Sequence, residues 1–265
     1  MRVVIEPTAE LYRLAARRIA GAIRAKPSCV LGLASGRTMI PLYDELVRLH
    51  EAEGLSFAGV TAFTLDEYVD VAEGEPGSFR RFVREHLQAR TDLRAAALHA
   101  PDVSRPDLGE AARTYEAALR AAGGIDLQLL GLGVNAHLGF NEPGSSLASR
   151  TRVKTLSDET LAANRADLPP RVHERRLAVT MGLGTIREAR ACLWIASGAA
   201  KAGAVAATVE GPVTASAPAS VLQLHPEVIA YIDEAAAAGL VRRRYYVEAE
   251  ARERRLEASE ARSEP

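Results

Sequence analysis

The amino-acid sequence predicts an α/β fold, in which a mostly parallel sheet carries helices on both faces. Short apolar runs alternate along the chain with longer segments whose apolar residues recur at helical spacing. The runs are apolar almost throughout, as is typical of strands buried on both faces of a parallel sheet. No internal repeat is visible, and 265 residues suit one large domain or two small ones.

In the first half of the chain, strands and helices are predicted in alternation. A strand at Arg2–Ile5 precedes a helix for which Thr8 is a candidate N-cap. The apolar run Cys29–Leu33 predicts a buried strand closed by a tight loop. Pro41 suits the first turn of the next helix, where its missing N–H costs nothing. The next segments are a strand at Val60–Thr64 and helical faces at Phe79–Leu87 and Leu108–Leu119.

The second half continues the pattern. Apolar runs predict further strands of the series at Ile125–Leu130, Leu177–Met181, Cys192–Ala196 and Val228–Ile232. Helical segments are predicted near Ala199–Val209 and Ala219–Leu224. Residues 247–265 form a charged tail that we expect to fray or to pack on a partner subunit.

Composition narrows the class of protein. Lys plus Arg number 33 and Asp plus Glu 34, and this balance argues against a nucleic-acid or anionic-membrane partner. No apolar run approaches the ~20 residues that span a bilayer, and Met1–Ala9 has no apolar stretch typical of a signal peptide. Cys29 and Cys192 lie in apolar runs, which indicates buried free thiols in a reducing compartment. We expect a cytoplasmic protein.

Ligands of such folds bind at the carboxyl ends of the strands. The loop after Leu33 contains Ser35, Gly36, Arg37 and Thr38, and a helix follows it. Its backbone N–H groups and the helix dipole suit a phosphate, and Arg37 adds a bidentate donor. A plain strand-to-helix turn explains the loop equally well, because the Gly-Lys-Ser/Thr of a P-loop is missing.

Asp66 and Glu67 follow the strand at Val60–Thr64. In an extended chain adjacent side chains point in opposite directions, so one carboxylate can enter a cleft while the other does not. A carboxylate walled by apolar groups has a raised pKa and can serve as a general base. The alternative is a solvated acidic loop.

The segment Gly131–Pro143 follows a buried strand and is dense in polar groups. Gly131, Gly133 and Ala136 imitate a dinucleotide-binding fingerprint, but no helical pattern follows, so we reject that reading. His137, between Asn135 and Glu142, is instead a candidate catalytic residue. Lys201, after the run Cys192–Ala196, lies in a helical first turn, where its charge opposes the helix dipole. An anionic ligand would offset this conflict, and an exposed surface lysine is the alternative.

These motifs together resemble the glucosamine-6-phosphate deaminase family, over almost the whole chain from Met1 to about Tyr246. The resemblance rests on four segments: LGLASGRT at Leu31–Thr38, LDEY at Leu65–Tyr68, GLGVNAHLGFNEP at Gly131–Pro143 and SSLASRTRVKT at Ser145–Thr155. It implies one Rossmann-like domain at residues 1–246 with a mobile lid. It also implies conversion of glucosamine 6-phosphate and water to fructose 6-phosphate and ammonia, without a metal or organic cofactor.

The resemblance also implies roles for individual residues. Asp66 would move the proton between C2 and C1 of the sugar. His137 would help to open the ring, and Asn135 and Glu142 would orient it or relay protons. The phosphate would be held by Ser35, Gly36, Thr38 and Lys201. The polar segment at residues 155–176 would form the lid.

Three positions depart from the family pattern. Asn135 stands where many members carry Asp, so it can orient His137 but cannot stabilise an imidazolium by charge. Ala136 replaces the usual Gly, so the loop must tolerate a Cβ. The family's phosphate-binding Arg is expected at Ala166, and Arg165 or Arg37 would have to take its role.

An allosteric site is also implied. Members activated by N-acetylglucosamine 6-phosphate bind it between subunits at positions that match Ser145, Ser146, Arg152, Lys154, Thr155 and Tyr245. Arg152 and Lys154 alternate, so in an extended segment they point to one face. This site requires a homo-oligomer, a hexamer by the resemblance. Ordinary solvated charges are the alternative, since many monomeric members manage without activation.

Three other functions fit parts of the pattern. A 6-phosphogluconolactonase would share the sheet and a similar Gly-x-Gly…His loop, but ester hydrolysis does not need the LDEY base. A non-catalytic sugar-phosphate sensor would have lost the acid–base residues, whereas Asp66, His137 and Glu142 are present. A deaminase for another hexosamine 6-phosphate would differ only in the stereochemistry of the sugar that it accepts.

Overall fold

The protein contains two β-sheets, described here from a computed structural model that covers residues 1–163 and 168–263. Within these residues the strands are β1 (Arg2–Ile5), β2 (Val30–Leu33), β3 (Thr61–Thr64), β4 (Asp66–Tyr68), β5 (Leu98–His99), β6 (Leu127–Gly131), β7 (Arg152–Thr155), β8 (Leu177–Thr180), β9 (Ala191–Ala196) and β10 (Val228–Ile232). Seven strands form a sheet in the order β1-β10-β9-β6-β2-β3-β5, and each neighbouring pair is parallel. The predicted parallel sheet is confirmed.

Helices pack around this sheet. They are α1 (Thr8–Ala25), α2 (Ile40–Glu53), α3 (Phe79–His86), α4 (Leu108–Ala121), α5 (Asp158–Ala163), α6 (Pro170–Arg175), α7 (Leu183–Arg187), α8 (Ala202–Val209) and α9 (Arg243–Ser263). Short 3-10 helices lie at Arg37–Met39, Gln88–Arg90, Ala95–Ala97, Ala199–Lys201, Pro218–Leu224 and Ala236–Gly239. Pro41 lies in the first turn of α2, as predicted. The predicted helix at Ala219–Leu224 is instead 3-10 in form.

The prediction for Thr8 is wrong. Helix α1 begins at Thr8 itself, its N-cap position is Pro7, and no side chain caps it. Thr8 Oγ1 instead donates a hydrogen bond to Asp233 Oδ2 at 3.2 Å. The Thr8 hydroxyl, which the local pattern predicts as a helix cap, thus binds a carboxylate far away in sequence.

The strand at Leu177–Met181 is correctly located but does not continue the parallel series. It forms β8, the centre of a second sheet in the order β4-β8-β7, and both of its pairings are antiparallel. Ala178 and Val179 are both fully buried, in separate small hydrophobic clusters. A short strand covered on both faces has the same apolar pattern in either kind of sheet, so the sequence could not distinguish them.

The main hydrophobic core joins the large sheet to its helices. Trp194, Leu31 and Leu33 on the strands pack in one cluster with Ile19 of α1 and Leu42 of α2. The two cysteines are buried free thiols, as predicted. No described helix combines the length and apolar character needed to cross a lipid bilayer.

The charged tail is ordered as helix in its described part. Helix α9 continues to Ser263 and packs along β1 of its own chain. Arg2 binds Glu250 at 2.6 Å, and Arg254 binds Glu6 at 2.8 Å. These ion pairs attach a helix with few apolar residues to the edge strand, and the expected fraying of the tail or its packing on a partner subunit stays a prediction.

Candidate active site

A single cleft lies where four neighbouring strands end. β9, β6, β2 and β3 are adjacent and parallel, so the loops after them meet at one edge of the large sheet. An open cavity of about 280 Å³ lies among these loops. Among the predicted site residues, its lining includes Ser35, Gly36, Arg37, Thr38, Asp66, Asn135, His137 and Lys201. Four separate sequence motifs thus contribute to the same cleft.

Asp66 is a buried carboxylate that faces this cleft. It begins β4, directly beyond β3, and is only 4% exposed. Burial, together with the charge of Glu67, raises the pKa of the Asp66 carboxyl well above its ordinary value. Gly139 lies against it, since a Cβ there would come within 2.9 Å of Asp66 Oδ2. A carboxylate in such surroundings can act as a general base.

Glu67 points away from the cleft and is structural. Its carboxylate accepts hydrogen bonds from the N–H groups of Phe79 (2.9 Å) and Arg80 (3.0 Å) and from Ser78 Oγ (2.9 Å). These donors form the N-terminus of α3, which Glu67 therefore helps to cap. Burial raises the pKa of Glu67 in spite of these bonds. The two adjacent carboxylates thus lie on opposite sides, as the alternation predicts.

His137, Asn135 and Glu142 form a hydrogen-bonded chain. Asn135 Nδ2 donates to Glu142 Oε2 at 3.0 Å, which leaves Asn135 Oδ1 as an acceptor 2.6 Å from His137 Nδ1. His137 Nδ1 must therefore carry the proton, and Nε2 is the basic nitrogen. Burial lowers the pKa of His137, partly opposed by Glu142, so the neutral imidazole is favoured.

The loop backbone fits this histidine closely. A Cβ at Gly133 would come within 2.4 Å of the His137 ring, so only glycine leaves room for the imidazole. Ala136 has φ +62°, the left-handed conformation that usually favours glycine. The expected tolerance of a Cβ at Ala136 is thus achieved in a strained backbone.

Glu142 connects the chain of polar groups to the segment after β7. Its Oε1 accepts hydrogen bonds from Ser157 Oγ (3.1 Å) and from Thr160 Oγ1 on α5. Burial alone would raise the pKa of Glu142, but hydrogen bonds from Thr160 and Asn135 and the nearby His137 lower it. Glu142 is therefore held as a carboxylate.

The other end of the cleft is basic and rich in backbone N–H groups. Ser35 Oγ is buried and has no hydrogen-bond partner among the described residues. Gly36 has φ +105°, which only glycine adopts readily, and the turn leads into α2. Lys201 also lines this region, and burial lowers the pKa of its ammonium. Arg37 is exposed at the rim.

The remaining predicted residues lie elsewhere. Arg152 and Lys154 are on β7, where Arg152 Nη1 donates to Asn141 Oδ1 at 2.9 Å. Ser145 is buried, Ser146 and Thr155 are exposed, and Tyr245 is 64% exposed on α9. Arg165 lies outside the described residues. Within the described residues, no three His, Cys, Asp or Glu side chains are arranged to hold a metal ion.

Sequence analysis assigned no role to several side chains of the cleft. Tyr68, Phe79 and Phe140 form an aromatic group, with ring centroids 4.9–5.8 Å apart, and all three line the cavity. Tyr68 was foreseeable, because it lies two residues after Asp66 and so on the same face of β4. Thr160 also lines the cavity, and nothing in its local sequence indicates this.

The parallel sheet, with a buried carboxylate and a hydrogen-bonded histidine at its strand ends, is typical of an α/β enzyme, and its cleft holds the groups that acid–base chemistry needs. Comparison with known proteins identifies the family. The sequence model described as glucosamine-6-phosphate isomerases/6-phosphogluconolactonase matches residues 6–230. The chain belongs to this family.

Individual relatives carry names that agree with this family. A glucosamine-6-phosphate deaminase of Arthrobacter sp. (strain FB24) is 49% identical over 93% of this chain and 95% of the relative. One of Marinomonas sp. (strain MWYL1) is 46% identical over 93% and 94%. The solved structure of a monomeric glucosamine-6-phosphate deaminase superposes with a TM-score of 0.87 at 38% identity, covering 90% of this chain and 100% of that one.

More distant structures share the fold alone. The 6-phosphogluconolactonase of Trypanosoma brucei has a TM-score of 0.72 at 22% identity, over 91% of this chain and 98% of that one.

Proposed function

We propose that this protein deaminates glucosamine 6-phosphate to fructose 6-phosphate and ammonia. The observation that carries the proposal is the buried carboxylate of Asp66 in the same cleft as the His137 chain and the basic loop end. An aldose–ketose shift needs a base close to two adjacent carbons, and ring opening needs a second acid–base group. The relatives with this activity in their names are 43–49% identical over most of the chain.

The phosphate would bind at the basic end. Ser35, Gly36 and Thr38 offer a hydroxyl and N–H groups at the start of a helical segment, where the dipole favours an anion. Lys201 adds a positive charge from the neighbouring loop. Arg37, which lines the cleft, would make the additional contact that the departure at Ala166 removes, and Arg165 is the other candidate.

His137 would open the sugar ring. Its neutral imidazole has a basic Nε2, which can take the proton from the C1 hydroxyl as the bond between C1 and the ring oxygen breaks. The imidazolium returns this proton to the ring oxygen, which gives the open-chain aldehyde and restores the neutral imidazole. Asn135 fixes the tautomer, and Glu142 fixes Asn135.

Asp66 would then remove the proton from C2 and return it to C1. Removal of the C2 proton from the protonated amino aldehyde, with transfer of one ammonium proton to O1, gives an enediol-like enolamine. Protonation at C1 by Asp66 then gives a protonated imine at C2. Water adds to this imine and gives a carbinolamine at C2. Breakdown of the carbinolamine releases ammonia and leaves the C2 ketone of fructose 6-phosphate. The raised pKa of Asp66 matches its need both to accept and to donate the proton.

We also propose that residues 155–176 act as a lid. Ser157 and Thr160 already reach Glu142, while Leu161, Leu168 and Val172 pack with Tyr68 and Phe140. The described parts of the segment, residues 155–163 and 168–176, thus contact Glu142, Tyr68 and Phe140 through both polar and apolar groups. Its closure would exclude bulk water until the imine forms.

An activated homo-oligomer is the regulatory part of the proposal. N-acetylglucosamine 6-phosphate would bind near Ser145, Ser146, Arg152, Lys154 and Thr155, with Tyr245 from another subunit. The chemistry favours an anion here, because Arg152 and Lys154 share one face of β7 and Ser145 Oγ has no hydrogen-bond partner in the described structure. Arg152 also binds Asn141, whose amide donates to Leu138 O next to His137.

The catalytic role of Asp66 is tested by Asp66→Asn. Because the amide keeps the shape and removes the base, kcat should fall by roughly 10²–10⁴. Exchange of the C2 proton with deuterated water, followed by NMR, should slow in parallel. Glu67→Gln is the matched control and should slow exchange far less, since that carboxylate faces α3. Near wild-type exchange in Asp66→Asn would exclude Asp66 as the base.

A further inference from the structure

Two strand-end loops of the large sheet have the same backbone form. Each consists of Ser-Gly followed by a 3-10 turn and an α-helix, after β2 and after β9. Gly36 has φ +105° and ψ 165°, and Gly198 has φ +93° and ψ 150°. Gly36 O accepts the N–H of Met39 at 2.9 Å, as Gly198 O accepts that of Lys201 at 3.0 Å. Lys201 thus occupies in the second loop the position of Met39 in the first.

The two loops differ in the group that binds them. In the first loop, Ser35 Oγ is buried without a hydrogen-bond partner in the described part of the chain. In the second, Ser197 Oγ donates to the Asp233 carboxylate at 2.5 Å, and Gly198 N donates to it at 3.0 Å. Asp233 therefore sits where the corresponding atoms of the first loop would hold an anion.

Asp233 is itself firmly held. It follows β10, is 6% exposed, and also accepts hydrogen bonds from Thr8 Oγ1 (3.2 Å) and Ala236 N (2.8 Å). Its hydrogen-bond donors among the described residues are the hydroxyls of Thr8 and Ser197 and the backbone N–H groups of Gly198 and Ala236. Hydroxyl and N–H donors alone thus bind this charge, as they would bind a ligand anion.

We propose that Asp233 is a positioning residue for phosphate binding, which acts by fixing the loop that carries Lys201. This inference rests on the proposed role of Lys201 in phosphate binding. Two successive hydrogen bonds connect Asp233 to Lys201: Gly198 N donates to the Asp233 carboxylate, and Lys201 N donates to Gly198 O. The carboxylate also places negative charge at a helix start where Lys201 is otherwise unfavourable. The same charge repels anions from the second loop and directs the substrate phosphate to the first.

The test is a double-mutant cycle on Asp233 and Lys201. Asp233→Asn keeps the size but replaces one acceptor with a donor that opposes Gly198 N–H. It should raise KM roughly tenfold, as expected for directly coupled groups, with kcat within about threefold. The Kd of inorganic phosphate, measured by calorimetry, should rise in parallel. In the Lys201→Ala background, Asp233→Asn should change neither value further.

Asp126→Asn is the matched control. Asp126 also binds a backbone N–H, that of Val30 at 2.8 Å, but just before β6 and so at the opposite edge of the sheet. It should lower stability without changing KM. If Asp233→Asn fails to fold, Ser197→Ala removes one Asp233 contact and should raise KM less, again only when Lys201 is present.

The outcomes separate the two levels of the proposal. Equal increases in KM with and without Lys201, or a fall in kcat alone, would overturn the positioning role of Asp233. An unchanged KM in Ser197→Ala would do the same. If Lys201→Ala itself leaves KM and phosphate affinity unchanged, the phosphate-binding role of Lys201 fails first, and the inference fails with it.

Discussion

At the scale of residues, the loop that carries His137 contains one glycine that cannot be replaced by a larger residue and one alanine in a conformation typical of glycine. Gly133 must lack a side chain because the imidazole occupies the space of its Cβ. Ala136 has a side chain although its φ is +62°. Ala136 is 2% exposed, and its carbonyl accepts the N–H of Ala219 at 2.8 Å, so tertiary packing holds the conformation. This strain lies one residue from the proposed catalytic histidine.

The strain predicts an unusual result for Ala136→Gly. Loss of a buried methyl group costs about 0.8 kcal/mol and added backbone freedom about 0.5–1 kcal/mol. Relief of the left-handed conformation returns roughly 1–2 kcal/mol. The free energy of unfolding should therefore change by less than about 0.8 kcal/mol in a denaturant titration.

Ala15→Gly is the control, because Ala15 is fully buried inside α1 in right-handed conformation. It should cost about 2 kcal/mol, from the lost methyl and the helix propensity of glycine. Equal destabilisation by the two substitutions would show that Ala136 is not strained.

At the scale of elements, local sequence patterns predict six of the seven strands of the large sheet, because these strands are mostly apolar. The seventh, β5, has only two residues, Leu98 and His99, and was not predicted. Local patterns also miss β4 and β7, which are short and polar: Asp66–Tyr68 and Arg152–Thr155. Both exist because β8 supplies their hydrogen-bonding partner. Thr180 of β8 pairs with Asp66 across 114 positions and with Arg152 across 28, and neither pairing leaves a local signal. Tertiary contacts, and not the local sequence, therefore determine the register of β4 and β7 and the sheet to which they belong.

Some residues of the site can likewise be predicted from the local sequence, whereas others cannot. Asp66 and His137 follow buried strands, and that position makes them predictable as cleft residues. The contact of Thr160 with Glu142 and the use of Thr8 by Asp233 join distant segments. Neither has a sequence signature, since hydroxyl residues serve equally well as helix caps or surface groups.

The segment proposed as a lid makes a prediction at this scale. Hydrogen exchange at residues 155–163 and 168–176 should slow at least about fivefold when the cleft is filled, the lower end of usual coupling between sites. The reduced, open-chain alcohol of glucosamine 6-phosphate is a suitable ligand. The last turn of helix α1, next to Lys26, which binds Asp126 at the opposite edge of the sheet, provides the internal control. Equal exchange in bound and free protein would rule out closure.

At the scale of the whole molecule, the proposed effector residues lie on different parts of one chain. Arg152 belongs to the small sheet, whereas Tyr245 begins α9, which packs on β1 at an edge of the large sheet. By the family resemblance, a ligand touching both would lie between subunits. The solved relative described as monomeric has the same fold, so the fold itself does not require assembly.

The regulatory proposal predicts linked assembly and activation. N-acetylglucosamine 6-phosphate should shift the substrate saturation curve by a coupling of ~1–3 kcal/mol, or about 5–150-fold in half-saturation. Arg152→Ala should remove the shift, and analytical ultracentrifugation should show an oligomer. Glu10→Ala, on the exposed start of α1, is a surface control. A hyperbolic curve unaffected by the effector, on a monomer, would contradict regulation but not catalysis.

The most direct test of the central claim is a product assay. The purified protein should convert glucosamine 6-phosphate to equimolar ammonia and fructose 6-phosphate, and Asp66→Asn should lose this activity by roughly 10²–10⁴-fold. Galactosamine and mannosamine 6-phosphates, assayed alongside, report the sugar preference, and 6-phosphogluconolactone reports ester hydrolysis. Lactone hydrolysis without ammonia release from any hexosamine 6-phosphate would contradict the account.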